Sequence, residues 1–477
     1  MDVRVDRAST GTMWTYGLGS IAVGIKNNLL GTYLLIYYNQ VLEVNALLVT
    51  AALFIALMID AFTDPMVGIW SDRVRSKWGR RHPFMYAAII PFAFSYYYIL
   101  QDPGNLSQTE HFVRLVFLMF ILRLSMTFYE IPRGALAPEL TKDYDQRTQI
   151  SGIGMALGWI GGAGIDYIYR AYYLGESFLN KEAYAEMAFL GGLGIFISTV
   201  ITTLGTHKHI PSLHKPPERK FEWKTFIPEA RETLSNKSWI VLFCSGCIYA
   251  FLVGLDTNAG TYYNTFLWQF RPDDIAIYGI CMTASIIFFS MYLGPLLARG
   301  IEKKKVAVTI FMTSIFLGPL PILLRLIDTY YGTSLFPENG TDTLWWIMLF
   351  HACITATLGS LGFIIIGSMT MDIVEDVQRT TQRRSEGLLG TVSGMVHKII
   401  GAGGTLLAGV IITMVGFDDP GATLEFKQTT AISEFSIIHV ICGFVFPICS
   451  TLLILLYNIK KDDHLDNVTD LGYVDQD

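Results

Sequence analysis

Apolar stretches long enough to cross a bilayer alternate with short polar connections along the whole chain. A window of about 19 residues resolves twelve of them, and about 20 apolar residues suffice for a membrane-spanning helix. The predicted segments are 13–38, 46–70, 83–101, 112–138, 149–174, 183–206, 238–266, 274–298, 306–327, 343–370, 386–416 and 431–459. We therefore predict an all-α polytopic membrane protein with twelve transmembrane helices.

The longest polar connection, 207–237, contains a Pro-Pro pair and charges of both signs. It separates six predicted segments from six, and we read it as a cytoplasmic linker between two six-helix bundles, 1–206 and 238–459. The polar tail 460–477 is expected to lie in the cytoplasm. Two six-helix halves with a substrate site near the membrane midplane are a recurrent plan of transporters.

Charged residues form 16% of the 477 residues and hydrophobic ones 52%, whereas soluble proteins carry about 25% charged residues. With both termini inside, the predicted inner segments hold 25 Lys and Arg residues and the outer loops hold 3. This asymmetry predicts cytoplasmic termini in a plasma membrane, the inner membrane of a bacterium. The net charge of −6 offers no basic surface for nucleic acid. We expect a small-molecule substrate and membrane lipid as partners, and a functional monomer.

Three oxygen-bearing side chains share one face of the segment 46–70. Asp60, Thr63 and Asp64 stand at spacings i, i+3 and i+4, which place them together on a helix. Two carboxylates so close cannot both keep their charge without a cation nearby. Their hard oxygen ligands suit Na⁺ or H⁺, and Na⁺ is the one metal ion that we expect. In the alternative interpretation, the acids only cap the inner helix end beside the basic loop 71–82.

Two more charged residues, Lys398 and Glu130, lie within apolar segments, where a charge is energetically unfavourable. Lys398 has no acidic neighbour at i±3 or i±4, so we expect it to pair with Asp60 and Asp64. Glu130 stands one turn from Thr127, within reach of Arg123, while a local pair of Glu130 with Arg133 is the alternative. An i, i+4 spacing favours a local Asp166–Arg170 pair.

Other polar residues within apolar segments are candidates for lining a cavity. Lys26 and Asn27 interrupt the first segment, and the seventh mixes Asp256 and Tyr263 with other polar and aromatic residues that could hold a sugar ring or anchor the helix in the membrane interface. His351, His397 and His439 are each interpreted as isolated core histidines. The sequence contains no H-E-x-x-H, G-x-S-x-G or P-loop motif, so we expect neither an enzyme nor a cofactor.

Four motifs resemble those of the glycoside–pentoside–hexuronide:cation symporters, the melibiose permease-like family of the major facilitator superfamily. They are TYGLGS (15–20), DAFTDPMVGIWSDRVRSKWGRRHP (60–83), YEIPRGALAPELTKDYDQRT (129–148) and MDIVEDVQRTTQRRSEG (371–387). The resemblance implies the major facilitator fold and cation-coupled symport of a sugar, glycoside or uronide by alternating access.

The family's cation site carries over better than its sugar site. The resemblance places cation-binding residues at Asp60, Thr63, Asp64 and Thr127, and the coupling lysine at Lys398. Of the family's sugar-binding positions only the acid at Glu130 is kept in type; others fall on Gly24, Met126, Gly134 and Met155. We therefore expect substrate contacts at Glu130, Lys26, Asn27, Asp256 and Tyr263.

Oppositely charged residues in the loops 71–82 and 371–386 are predicted to form a gate at the inner mouth. They are Asp72, Arg73, Arg80, Arg81, Glu375, Asp376 and Arg383. One alternative function is a symporter of lysophospholipids or other amphiphiles with the same fold, whose headgroup site would involve Lys26 or Arg123. A polytopic membrane enzyme or sensor is a second alternative, which the missing enzyme motifs disfavour.

Overall fold

The computed structural model describes residues 8–141, 144–210, 234–298, 302–381, 386–419 and 421–458. These residues form helices joined by turns and loops, with no strand among them. The predicted all-α fold is therefore confirmed for the described part of the chain. The predicted linker 207–237 and tail 460–477 lie largely outside it, and their placement stays a prediction.

Eight helices precede the linker region: α1 (Thr10–Leu18), α2 (Ser20–Asn28), α3 (Leu34–Ile36), α4 (Ala46–Arg73), α5 (His82–Ile99), α6 (Gln108–Leu140), α7 (Tyr144–Ile168) and α8 (Lys181–His207). The described residues after it form α9 (Lys237–Tyr262), α10 (Tyr278–Ala298), α11 (Lys303–Leu317), α12 (Leu320–Tyr331), α13 (Asp342–Thr381), α14 (Glu386–Met414), α15 (Leu424–Phe426) and α16 (Ile432–Ile454). Wider π-helical turns occupy Leu29–Tyr33, Tyr37–Val41, Tyr169–Leu174, Tyr263–Leu267 and Lys427–Ala431.

Helices occupy all twelve predicted segments. Among the described residues, eight helical stretches are long and apolar enough to cross a membrane: Ala46–Ser71, Gln108–Ala137, Lys181–His207, Lys237–Leu267, Lys303–Tyr331, Asp342–Arg379, Val392–Met414 and Leu424–Ile454. Four further predicted segments are helical as well, but their described helices are not both long and apolar enough to meet the same criterion: 13–38, 83–101, 149–174 and 274–298. The count of twelve spans therefore stays a prediction.

Local signals explain where the two helices that carry the candidate cation site begin. The side chain of Asn45 accepts hydrogen bonds from the backbone N–H groups at the start of α4, as an N-cap residue does. Ser107 and Glu110 form a reciprocal capping box at the start of α6. These caps satisfy N–H groups that have no partner within the helix.

Contacts divide the chain into two compact units. Unit 1 comprises Met1–Glu218, Thr257–Ile280 and Thr405–Thr429; unit 2 comprises Arg219–Asp256, Cys281–Gly404 and Thr430–Asp477. In unit 1, α2 packs against α7 and α8, and α6 packs against α4 and α5. In unit 2, α11 packs against α13 and α16 over a buried apolar cluster that includes Trp239, Phe311 and Ile365. The packing of α6 on α4 is what assembles the candidate cation site.

Candidate cation and substrate sites

Both acidic residues of α4 converge on one hydroxyl group from α6. Thr127 Oγ1 lies 3.1 Å from Asp60 Oδ1 and 2.8 Å from Asp64 Oδ1. Asp60 and Thr127 are fully buried, and Asp64 is half-buried. Because one O–H can direct its proton to only one oxygen at a time, the two carboxylates compete for it. The structure thus brings three of the four predicted ligands together.

Thr63, the fourth predicted ligand, turns its hydroxyl to its own helix. Its Oγ1 lies 3.4 Å from the carbonyl oxygen of Asp60. Hydroxyl groups in helices commonly make such a contact with the preceding turn. Among the described residues Thr63 makes no hydrogen bond to either carboxylate, so its role as a ligand stays a prediction.

Arg123 reaches the same site from one turn earlier on α6. Its Nη1 lies 3.4 Å from Asp60 Oδ2, and the side chains of Arg123 and Asp60 are only 10% and 1% exposed. The sequence places Arg123 within reach of Glu130 or assigns it to a lipid headgroup, and neither expectation includes this contact with Asp60. The sequence signal for the contact of Arg123 with Asp60 is that Arg123 stands four residues before Thr127, because residues i and i+4 share a helix face.

The local pair of Glu130 with Arg133 does not form among the described residues. Arg133 instead turns to α1 and α2: Nη2 donates to the carbonyl oxygen of Tyr16 at 3.2 Å and to the hydroxyl of Ser20. Its guanidinium also lies 4.5 Å from the centre of the Tyr16 ring, a cation–π contact. Glu130 remains half-buried, without an ion pair to Arg133.

Asp166 anchors a buried polar network. Arg170 Nε lies 2.9 Å from Asp166 Oδ2, so the predicted local pair is confirmed. The sequence did not reveal the two further donors to Asp166 Oδ1, the Tyr33 hydroxyl at 2.6 Å and the Asn28 amide at 3.1 Å. Both come from the first predicted segment, about 130 residues away along the chain.

The interpretation of His439 as an isolated core histidine is wrong. Its Nε2 lies 2.6 Å from Asp256 Oδ1, which joins α16 to α9 within unit 2. The side chain of Asp256 is 50% exposed, and its role as a substrate contact stays a prediction. His351 and His397 each contact a backbone carbonyl oxygen, as core histidines do.

The other predicted substrate contacts differ in burial. Lys26 and Tyr263 are buried, whereas Asn27 is exposed. Lys26 and Asn27 differ because successive residues of a helix point about 100° apart. Lys398 is exposed on α14 in unit 2, and its pairing with the acids of α4 stays a prediction.

The predicted gate is described only in part. Arg80 and Arg81 both pair with Glu139, which the sequence analysis missed. Asp376 accepts a hydrogen bond from Asn236 at 2.8 Å. The side chains of Asp72 and Arg73, and all of Arg383, lie outside the described residues. The gate as a whole stays a prediction.

A further acidic residue of unit 1, Asp418, collects hydrogen bonds that the sequence did not predict. Asp418 accepts hydrogen bonds from the Asn39 amide, from the backbone N–H of Ala46 at 2.9 Å and from Thr413 Oγ1 at 2.7 Å. The N–H of Ala46 opens α4, and a helix N-terminus favours a nearby negative charge. Asp418 thus joins the loop after α14 to the start of α4.

A family model described as MFS/sugar transport protein matches residues 15–461. The chain belongs to this family. The match spans nearly the whole chain, and together with the apolar helices it makes the protein an integral membrane transporter. The resemblance to the glycoside–pentoside–hexuronide symporters is thereby confirmed.

Relatives in the MFS/sugar transport family are symporters and sugar transporters. An uncharacterized symporter of Synechocystis sp. is 34% identical over 196 residues, which cover 40% of this chain and only 35% of that protein. The isoprimeverose transporter of Lactiplantibacillus pentosus is 23% identical over 411 residues, 85% of this chain and 80% of that protein. Among solved structures, the nucleoside transporter NupG aligns with a TM-score of 0.60 at 15% identity, over 94% of this chain and 100% of that one. This last likeness shows the fold alone.

The structure explains why one sugar-binding position of the family cannot carry an acid here. A Cβ on Gly24 would lie 2.1 Å from the carbonyl oxygen of Gly158 and 2.6 Å from the backbone nitrogen of Gly162. No side chain fits between α2 and α7 at this point. Any polar contact of a substrate with the first predicted segment must therefore come from another residue.

Proposed function

We propose that this protein is a secondary active transporter that couples the entry of a cation, Na⁺ or H⁺, to symport of a sugar, glycoside or uronide by alternating access. The convergence of Asp60, Asp64 and Thr127 in the buried part of unit 1 carries this proposal. Membership of the sugar transport family supports it.

The α4 carboxylates attract a cation, and a bound cation lowers the cost of rearranging the helices. An ionised carboxylate at the bilayer centre costs about 2.5–3.5 kcal/mol on insertion scales. A cation between Asp60 and Asp64 would offset one of these charges, so the helices could rearrange around the site at lower cost. One positive charge that enters down 100 mV releases about 2.3 kcal/mol. By the rule of 1.4 kcal/mol per tenfold ratio, this drives a roughly 40-fold accumulation of a neutral substrate.

Glu130 is our main candidate for a substrate contact in unit 1. It stands one turn beyond Thr127 on α6, is half-buried, and forms no ion pair with Arg133. A carboxylate there can accept hydrogen bonds from sugar hydroxyls. Asn27, exposed on α2, is a further candidate, and Asp256 is the candidate from unit 2.

We propose the sugar class over the lysophospholipid class. A lipid headgroup site would need a cationic side chain that is free to bind an anion. Of the two cationic residues considered for it, Arg123 lies buried against Asp60, and Lys26 is buried as well. The proposal also includes cytoplasmic termini, twelve membrane spans, location in the inner membrane and a monomeric state.

Uptake into proteoliposomes tests the function. Purified protein is reconstituted, and a panel of radiolabelled sugars, glycosides, uronates and lysophosphatidylcholine is offered under an imposed Na⁺ or H⁺ gradient. We expect accumulation of one sugar-class substrate under one of the two gradients. Asp60→Asn and Asp64→Asn should abolish accumulation, whereas Asp419→Asn, at an exposed acid, should retain it.

Two results would refute the proposal. Accumulation that survives in both Asp60→Asn and Asp64→Asn would show that coupling does not use this site. Gradient-driven accumulation of lysophosphatidylcholine without any sugar-class substrate would favour the amphiphile transporter.

A further inference from the structure

We propose that Lys77, Trp78 and Lys208 form a basic patch that binds the headgroups of anionic phospholipids, at the cytoplasmic end of unit 1 in the proposed orientation. All three side chains are exposed. The patch consists of residues that the proposed cation and substrate sites do not use, and the inference does not rest on the proposed transport function.

A tight turn between α4 and α5 carries Lys77 and Trp78. The Ser76 hydroxyl accepts a hydrogen bond from the N–H of Trp78 at 3.1 Å and donates one to the carbonyl oxygen of Gly79 at 2.6 Å. Gly79 has a φ of 71°, in the left-handed region that favours glycine. A Cβ on Gly79 would lie 3.1 Å from Ile210 Cγ2, so the turn packs on the segment that follows α8.

Ring contacts also join this turn to the end of α8. The ring of Trp78 meets the ring of Tyr86 edge-on, with the centroids 5.5 Å apart. The Tyr86 hydroxyl in turn lies 2.8 Å from His207 Nδ1. Lys208 directly follows His207. The fold therefore brings the exposed lysine after α8 to the same end of unit 1 as Lys77 and Trp78.

The two lysines differ from the neighbouring arginines in what they contact. Arg80 and Arg81 both pair with Glu139, whereas neither Lys77 nor Lys208 forms an ion pair among the described residues. The segment 71–82 contains five basic residues and one acidic residue, so its charge is positive. Charge complementarity therefore favours an anionic partner for the patch.

Two exposed tryptophans place this end of unit 1 at the level of the lipid headgroups. Trp70 and Trp78 are each 55% exposed. Trp70 packs edge-on against Phe84 at 5.0 Å, so both tryptophans rest on the start of α5. Tryptophan is enriched at the membrane–water interface, and the cytoplasmic leaflet carries anionic lipids. A lipid fits the patch better than a free phosphate does, because only the lipid also offers apolar contact to Trp78.

Tryptophan fluorescence in nanodiscs tests the patch. Two sets of nanodiscs contain equal parts of phosphatidylglycerol and phosphatidylcholine, and they differ only in which lipid carries a dibrominated, fluorescence-quenching acyl chain. We expect stronger quenching when phosphatidylglycerol carries the bromine. This excess should shrink in Trp78→Phe. It should persist in Trp346→Phe, which removes a similarly exposed tryptophan, 53% exposed, from unit 2.

Charge variants separate recognition of the headgroup from simple exposure of Trp78. A basic residue near an anionic membrane surface contributes about 1 kcal/mol, which corresponds to a roughly fivefold preference. Lys77→Gln combined with Lys208→Gln should therefore abolish the excess, whereas Lys77→Arg combined with Lys208→Arg should keep it. Lys181→Gln, at a lysine whose side chain is 51% exposed, is the matched control and should also keep it. High salt should suppress the excess in wild type, since exposed charges are screened.

Equal quenching by the two brominated lipids in wild type would show that the patch takes neutral lipid as readily, and it would overturn the inference. An unchanged excess in the double glutamine variant would overturn it as well. The salt dependence of wild type needs no substitution, so the test stays decisive if a variant fails to fold. Failure of the proposed function would appear instead as absent coupled accumulation in the uptake assay.

Discussion

His439 Nε2 lies 2.6 Å from Asp256 Oδ1, so α16 holds the exposed carboxylate of α9 in a defined orientation. The ring of Phe435 stacks on the imidazole at a centroid distance of 6.0 Å and an interplanar angle of 11°. Asp256 is 50% exposed and His439 13%. One carboxylate oxygen is therefore held by His439, while about half of the Asp256 side chain remains exposed.

Replacing His439 should weaken substrate binding through Asp256. We expect His439→Phe to raise the half-saturating substrate concentration about tenfold, since hydrogen bonds to charged groups contribute about 1.5–3 kcal/mol. The maximal rate should change less. His439→Gln, which can still donate, should recover most of the affinity. Uptake kinetics in proteoliposomes measure both constants.

The matched control for this experiment is His351→Phe, because His351 contacts a backbone carbonyl oxygen, that of Leu317, and not a carboxylate in the described part of unit 2. Equal effects of His439→Phe and His351→Phe on affinity would contradict the assignment of Asp256 to the substrate site.

Glu130 and Arg133 should respond differently to neutralisation because they are not partners. Arg133→Leu removes the hydrogen bonds to Tyr16 and Ser20 and the cation–π contact. We expect a loss of about 1.5–3 kcal/mol of stability, seen as a lower unfolding temperature. Glu130→Gln should leave that temperature nearly unchanged and reduce uptake. Similar destabilisation by both variants would instead indicate a Glu130–Arg133 pair.

Asp418 and its neighbour Asp419 form a natural pair for comparison. Asp418 accepts three hydrogen bonds, including one from the N–H of Ala46 that opens α4, whereas Asp419 is exposed. Asp418→Asn should destabilise the protein by about 1–3 kcal/mol because a buried donor loses its charged acceptor. Asp419→Asn should change stability by less than about 0.5 kcal/mol. Thermal unfolding measures both, and equal effects would exclude a special role for Asp418.

Local regularities made part of the candidate site predictable. Asp60 and Asp64 share a face because the α-helix repeats every 3.6 residues, so their spacing alone placed them together. The spacing of Asp166 and Arg170 predicted their ion pair in the same way. Thr127 was assigned only through the family motif, because no local rule relates a residue of α6 to one of α4.

Contacts between distant segments were the ones that sequence reasoning missed or misassigned. The sequence offers Arg133 as a local partner of Glu130 and His439 as an isolated core histidine, and it does not show Arg123 beside Asp60. Each of them contacts a residue on another helix in the structure. Which faces of two helices meet depends on their axial shift and rotation, and the hydrophobic pattern constrains these only loosely.

Hydropathy and helix periodicity are local properties, so the amino-acid sequence was sufficient to predict a membrane protein of apolar helices. The same periodicity was sufficient to place two acids of α4 on one face. What stands opposite those acids depends on how two helices pack. The packing of α6 on α4 places a hydroxyl and a guanidinium against them, and the relative shift and rotation of two helices cannot be read from either helix alone.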